Sequence, residues 1–303
     1  SCQIVAQRKL NLEQNFPSDG PWNPDTMGPY PLSEPETRAV ADFFRTHANL
    51  GVVVTFGNLG GGCQVSHSKG NNLPLVRRFA RKIQEWTGLT VSHDSTPGYM
   101  QWAHQQLGLL VVRAEPWSLP RAAGLEACRS DKWLDEPELA TILRWLDREC
   151  PGAFHPWSAF DHPQLGSLDL GGWDWLYSWL NPPPGALLQA ELERFSKLVL
   201  GAAQSLPRLH IADFYEETVG WSEFQPPDPQ SGDFLPLRKL TLVVENRGYL
   251  PTWVCDGAQI NPDLEVQILM EPGQALVVGK ERQTAGQLAG VGLSEVEMAV
   301  PYT

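Results

Sequence analysis

Residues 51–64 read GVVVTFGNLGGGCQ. An apolar, β-branched run enters a glycine cluster, the pattern of a buried strand that ends in a flexible turn. The same pattern opens a phosphate cradle, which needs G-x-x-x-x-G followed by Lys and then Ser or Thr. Gly57 and Gly62 have the glycine spacing, but Cys63 and Gln64 stand where the Lys and the hydroxyl residue belong. No cation is left for the phosphates, and G-x-G-x-x-G is absent from the turn. The stretch is a strand and a turn, and its chemistry has to come from the residues around it.

Working outward, 33–49 carries a helix. Ser33 and Glu36 have capping-box spacing, Pro35 suits the first turn, and Val40, Phe43 and Phe44 supply a buried face. A second helix, about 73–87, places Val76, Phe79, Ile83 and Trp86 at helical spacing, and Gly88 ends it. Residues 98–107 are helical again, and 109–115, LLVVRAE, is a second buried strand. Asp135 and Glu138 repeat the capping grammar before a helix that reaches about Glu149, and 185–205 is a long amphipathic helix. Helices alternating with short apolar strands argue for an α/β unit with a mostly parallel sheet. After about Pro207 the period changes to two, in 237–248 and 264–273, with no helix between them. The expected organisation is an α/β domain over 1–206 and a small antiparallel β-sandwich over 207–303, with 226–233 as a loop or linker. The α/β part supplies about three convincing strands where five or six are usual, so the sheet is expected to start partway, with its edge covered by residues 1–12 or by a second chain.

The chain has 303 residues, 42% of them hydrophobic, and a net charge of −12. That charge argues against nucleic acid or an anionic membrane surface as a partner, and no apolar run reaches the ~18 residues of a membrane span. Five cysteines, widely spaced and never C-x-x-C, exclude a zinc ribbon and argue against a disulfide framework. Many of the 12 Trp lie between Trp133 and Trp179; they read as packing under long loops, with a site for sugars or aromatic ligands as the alternative. His67, His93 and His104 match no zinc spacing, the His210–Asp213 pair only approximates one, and no G-x-S-x-G elbow supports a serine hydrolase.

The order of NFP (15–17), GPYPLSEPETRAVADFF (28–44), a strand and a glycine turn resembles the zinc metallocarboxypeptidases, the carboxypeptidase A-like peptidases. TPGYMQWAHQQLGLLVVRAEPWSLP (96–120) is similar to that family's later active-site segment, and GGWD (171–174), NPPP (181–184) and the C-terminal β region resemble a bacterial subgroup. The resemblance covers nearly the whole chain. It implies a partial carboxypeptidase-like mixed sheet flanked by helices, followed by the β-sandwich. It also implies definite chemistry: zinc on His-x-x-Glu and a later His with one position open, a Glu as general base on the bound water, an Asn-Arg pair for the substrate carboxylate, and a capping Tyr.

Placed on this sequence, the implied positions have mostly changed. The carboxylate-binding segment resembles 11–17, so Glu13 and Gln14 stand for Asn and Arg while Asn15 keeps its identity. The late zinc ligand falls on Gly57, the capping Tyr on His104 and an Asp on Gln101. Glu115 alone keeps the general-base position, where its purely structural reading is pairing with an Arg or solvation. No His-x-x-Glu occurs in the chain. Residues that hold the motif together remain: Asn15, Phe16, Pro17, Ser33, Glu36 and Trp102. The expectation is therefore a non-catalytic carboxypeptidase-like protein without a cofactor, binding peptide or protein through Glu13, Gln14, Asn15 and His104. The alternatives are a zinc metallocarboxypeptidase incompletely represented here, and an unrelated hydrolase using the same region. The compartment is unassigned; the resemblance alone favours a secreted or periplasmic setting.

Overall fold

The computed structural model describes residues 10–47, 49–57, 61–66, 73–94, 98–125, 135–222, 235–254, 264–267, 269 and 280–291. They fall in two compact units, Ser1–Gln204 with Val254–Ile260, and Ser205–Trp253 with Asn261–Thr303.

The first unit is α/β. It runs through α1 (Pro24–Met27), α2 (Pro35–Thr46), β1 (Val52–Phe56), β2 (Cys63–Ser66), α3 (Leu73–Thr87), β3 (Val91–Asp94), α4 (Tyr99–Leu107), β4 (Leu110–Ala114), α5 (Leu119–Ala122) and α6 (Glu136–Glu149). It continues with the hairpin β5 (Phe154–His162) and β6 (Gly166–Trp173), then α7 (Trp175–Leu180) and α8 (Ala186–Gln204). The sheet order is β1-β4-β2-β3. β1 and β4 are parallel, β2 and β3 are parallel, and β2 and β4 are antiparallel. The sheet is mixed rather than mostly parallel because β2 and β3, four residues each, join β4 on its free side. Their CQVS and VSHD sequences are too short and polar to announce strands.

Burial follows the central strand. Leu110, Val111 and Val112 of β4 are fully buried, as are Leu75, Val76, Phe79 and Ile83 of α3. Each such side chain contributes about 1.5–3 kcal/mol. α8 lies on α3 so closely that a Cβ at Gly201 would come within 2.6 Å of the Trp86 indole. A second cluster gathers Phe16, Ala41, Met100, Trp102, Leu107 and Val111. It shows the buried face of α2 to be Thr37, Ala41 and partly buried Phe44; Val40 and Phe43 of the expected face are 39% and 50% exposed. A third cluster, Trp117, Ile142, Trp145 and Leu146 with Trp173, Trp175 and Trp179 packed against it, uses much of the tryptophan for packing.

The Asp135–Glu138 capping box forms at α6. The one expected for Ser33 and Glu36 does not: Glu34 is the N-cap of α2 and gives no side-chain cap bond. Ser33 Oγ is taken instead, accepting from Asn15 Nδ2 at 3.0 Å and donating to Glu34 Oε1 at 2.9 Å.

In the second unit β7 (Leu209–Ser222) and β8 (Leu235–Asn246) form one antiparallel pair, and β9 (Leu264–Gln267) and β10 (Arg282–Gly286) another. The period-two reading of 237–248 lands on β8. β7 precedes it, outside the two segments that the period-two pattern marks. The linker at 226–233 and the edge cover assigned to 1–12, apart from Leu10 to Leu12, lie outside the described residues. Among the described residues no helix is long and apolar enough to cross a membrane.

Candidate functional site

Three charged side chains meet beside the end of β1. Arg113, on the central strand β4, pairs across the sheet with Thr55 on one side and Gln64 on the other. Its Nη1 donates to Glu13 Oε2 at 2.7 Å, and its Nε lies 3.5 Å from Glu115 Oε1. The Arg113 and Glu115 side chains are 24% and 15% exposed and Glu13 is 54% exposed. Glu115 therefore takes the structural reading, pairing with an Arg.

Local chemistry fixes each partner. Glu13 sits in a 3₁₀ turn, Leu12–Gln14, capped by Asn11, whose Oδ1 accepts from Glu13 N at 3.1 Å. The turn is held against Gly98: a Cβ there would fall 2.5 Å from the Glu13 carbonyl oxygen, and φ of +148° also selects glycine. Glu115 follows β4, and its N–H donates to Gly62 O at 2.8 Å. Gly57 follows β1, and its N–H donates to Ala114 O at 2.8 Å.

Gly57 matters for what it leaves room for. A Cβ on it would stand 3.0 Å from Arg113 Nε, 3.5 Å from Nη2 and 3.6 Å from Glu115 Cγ. The Arg113 guanidinium thus fills the space into which a larger side chain at position 57 would project. The resemblance points to ligand positions and not to Arg113; the signal for it in the sequence is an arginine within the apolar run LLVVRAE, two residues from the general-base position.

The other expected positions divide. Asn15 is wholly buried. Its Nδ2 donates to Met27 O at 2.5 Å, Tyr30 O at 3.2 Å and Ser33 Oγ. Its Oδ1 accepts from Thr37 Oγ1 at 2.6 Å and Glu34 N at 3.3 Å. With both ends of the amide engaged inward, Asn15 ties α1, the loop after it and α2 together and offers nothing to a ligand. His104 is 1% exposed, with Nδ1 2.8 Å from Leu109 O inside the α4–β4 corner. Gln14 belongs to the Glu13 turn, on the sequence side of the buried Asn15. Of the four expected binding positions, Glu13 is the one whose side chain enters the charged cluster. His67 lies outside the described residues, and His93 and His210 lie on β3 and β7.

The electrostatics are those of one cation between two carboxylates. Guanidinium stays protonated under all ordinary conditions, so the cluster carries one net negative charge when both carboxylates are ionised. Burial, with a smaller contribution from Glu13, pushes the neighbouring Tyr99 phenol well above its ordinary range. Cys63 opens β2 and is 2% exposed; burial pushes its thiol up to about 11, with Glu115 adding to the rise and a Thr87 hydrogen bond and Arg194 opposing it.

The zinc implied by the resemblance can be tested against these residues. Gly57 has no donor atom, and the space beside it holds a permanent cation. Among the described residues no three His, Cys, Asp or Glu side chains are grouped so as to hold a metal ion. The residues present do not fit a zinc centre at this position.

Residues 235–302, which fall in the second unit apart from Val254–Ile260, match a family described as a domain of unknown function, DUF8731. No curated protein matches the chain.

Proposed function

We propose that the chain is a carboxypeptidase-like protein without peptidase activity, which engages peptide or protein at the face built from Glu13, Arg113 and Glu115. The observation that carries the reading is the Arg113 guanidinium beside Gly57. A hydrolytic centre of the metallopeptidase kind needs an electrophilic metal, an acidified water and a free carboxylate base. At this position a guanidinium supplies positive charge, but it has no vacant coordination position at which to bind and acidify a water. It also pairs with Glu115, the residue at the general-base position. The cluster is a contact surface of one net negative charge rather than a machine for moving protons.

The charge pattern also bears on what is engaged. Glu13, half exposed, stands where the resemblance places a carboxylate-binding residue, and it occupies the nearest donor, Arg113 Nη1. A peptide's terminal carboxylate approaching Arg113 meets Glu13 first and is repelled. The surface therefore suits internal peptide segments or basic side chains better than free C-termini.

The test uses a peptide library incubated with the wild type, with and without added zinc, and read by mass spectrometry. The expected result is no stepwise loss of C-terminal residues. Trimming by the wild type that vanishes in Glu115→Gln would show the protein to be an active carboxypeptidase.

A further inference from the structure

The β5–β6 hairpin carries a groove far from Arg113 in sequence and chemistry. A bulge falls between the cross-strand pairs His155–Gly172 and Ser158–Leu170, and the strands around it line an open groove of about 430 Å³. Its apolar wall is Trp173, whose ring meets Phe154 edge-on at 5.2 Å and packs against the tryptophan cluster beneath, so the indole is held in one orientation. Pro156 and Leu170 also line it, together with three polar residues, His155, Ser158 and Asp174. All three are exposed, and among the described residues none of their side chains has a hydrogen-bond partner. Gly171 and Gly172 make the remaining wall from backbone alone. A Cβ at Gly171 would meet the Trp157 main chain at 2.6 Å, so the strand must be bare there.

We propose that this groove binds a neutral oligosaccharide. A fixed aromatic wall with a few unpartnered polar groups around it is the composition of a small-ligand site. The polar set is mixed: an imidazole and a hydroxyl that both donate and accept, and a carboxylate that only accepts. A sugar ring presents matching surfaces, an apolar C–H face for the indole and hydroxyls at its edge for the three polar groups. The lining contains no Lys or Arg, and its only formal charge is negative, which disfavours phosphate, sulfate and uronate ligands. The groove is open rather than enclosed, which suits a chain passing across it. Trp157, on the same hairpin and 65% exposed, has its ring beside Gly172 of the lining and offers a second aromatic surface.

The experiment is isothermal titration of the whole chain with neutral hexasaccharides of N-acetylglucosamine, glucose (β-1,4 and α-1,4), xylose and mannose. At least one should bind with Kd between about 10 μM and 1 mM. Asp174→Asn and His155→Ala should each weaken it about fivefold or more, with circular dichroism and melting unchanged, because both side chains are exposed. Trp173→Phe, which keeps an aromatic ring in the packing, should weaken it less than Trp173→Leu. No binding by any of the hexasaccharides at about 10 mM overturns the proposal. So does affinity indifferent to both polar substitutions, or tighter binding of a sulfated hexasaccharide than of the neutral ones.

Discussion

Asn15→Ala should be among the most damaging single substitutions in the α/β unit. Asn15 is fully buried and bonded to Met27, Tyr30, Ser33, Glu34 and Thr37. Two of those bonds, to Met27 O and from Thr37 Oγ1, are themselves buried. Truncation leaves their partners in the interior without the amide, at about 1–3 kcal/mol each, and opens a small cavity besides. The expected loss is roughly 3–6 kcal/mol, a large share of the ~5–15 kcal/mol that holds a domain together. Thr37→Val removes one of the Asn15 bonds, and with it the Thr37 Oγ1 contact to Glu34 O at 3.0 Å, and should cost about 1–2 kcal/mol. Because both changes break the same contact, the double variant should lose less than the sum of the singles. Urea unfolding followed by tryptophan fluorescence and by far-UV circular dichroism gives all three values. A loss below about 1 kcal/mol for Asn15→Ala would refute the reasoning, since a buried amide with this many partners cannot be removed that cheaply.

Other consequences follow from single contacts. Gly201→Ala should destabilise by about 1–3 kcal/mol, because the added Cβ meets the Trp86 indole at 2.6 Å and α3 and α8 must move apart; an unchanged urea midpoint would contradict that packing. Gly57→His should not restore peptidase activity, since its Cβ stands 3.0 Å from Arg113 Nε; peptide trimming by this variant with added zinc would contradict the account. Cys63 has a folded-state pKa raised to about 11. Its contribution is complete below the unfolded thiol's value near 8.5–9 and is lost as pH climbs through about 11. The wild type should therefore lose up to ~2 kcal/mol relative to Cys63→Ala between pH 9 and 11, and equal slopes for the two proteins would place the thiol in water.

Much of this architecture is legible from hydrophobic period and capping. α3 and the capping box of α6 stand where 73–87 and Asp135–Glu138 put them, because long periodic segments and reciprocal caps are decided locally. β2 and β3 were not legible, since four residues carry no period and they become strands only by pairing with β4 and with each other. The Ser33 cap failed for a related reason: a side chain eighteen residues away, Asn15, competes for the hydroxyl. In the candidate site the sequence points to Glu13, Gly57 and Glu115, which do lie together around one guanidinium. It does not point to Arg113, because a residue's meaning there depends on the neighbouring strands. Nor does it show that Asn15 and His104 face inward, since the same amide or imidazole serves a ligand or a core equally well in one dimension.

The most direct test of the central claim is zinc content. The wild type is dialysed against micromolar zinc, then against metal-free buffer, and measured by elemental analysis beside Arg113→Ala and Glu115→Ala. With Arg113 filling the space beside Gly57, the wild type should hold well under one zinc per chain, and Glu115→Ala should not change that content. One zinc per chain in the wild type, lost in Glu115→Ala, would contradict the account by placing a metal where the guanidinium stands.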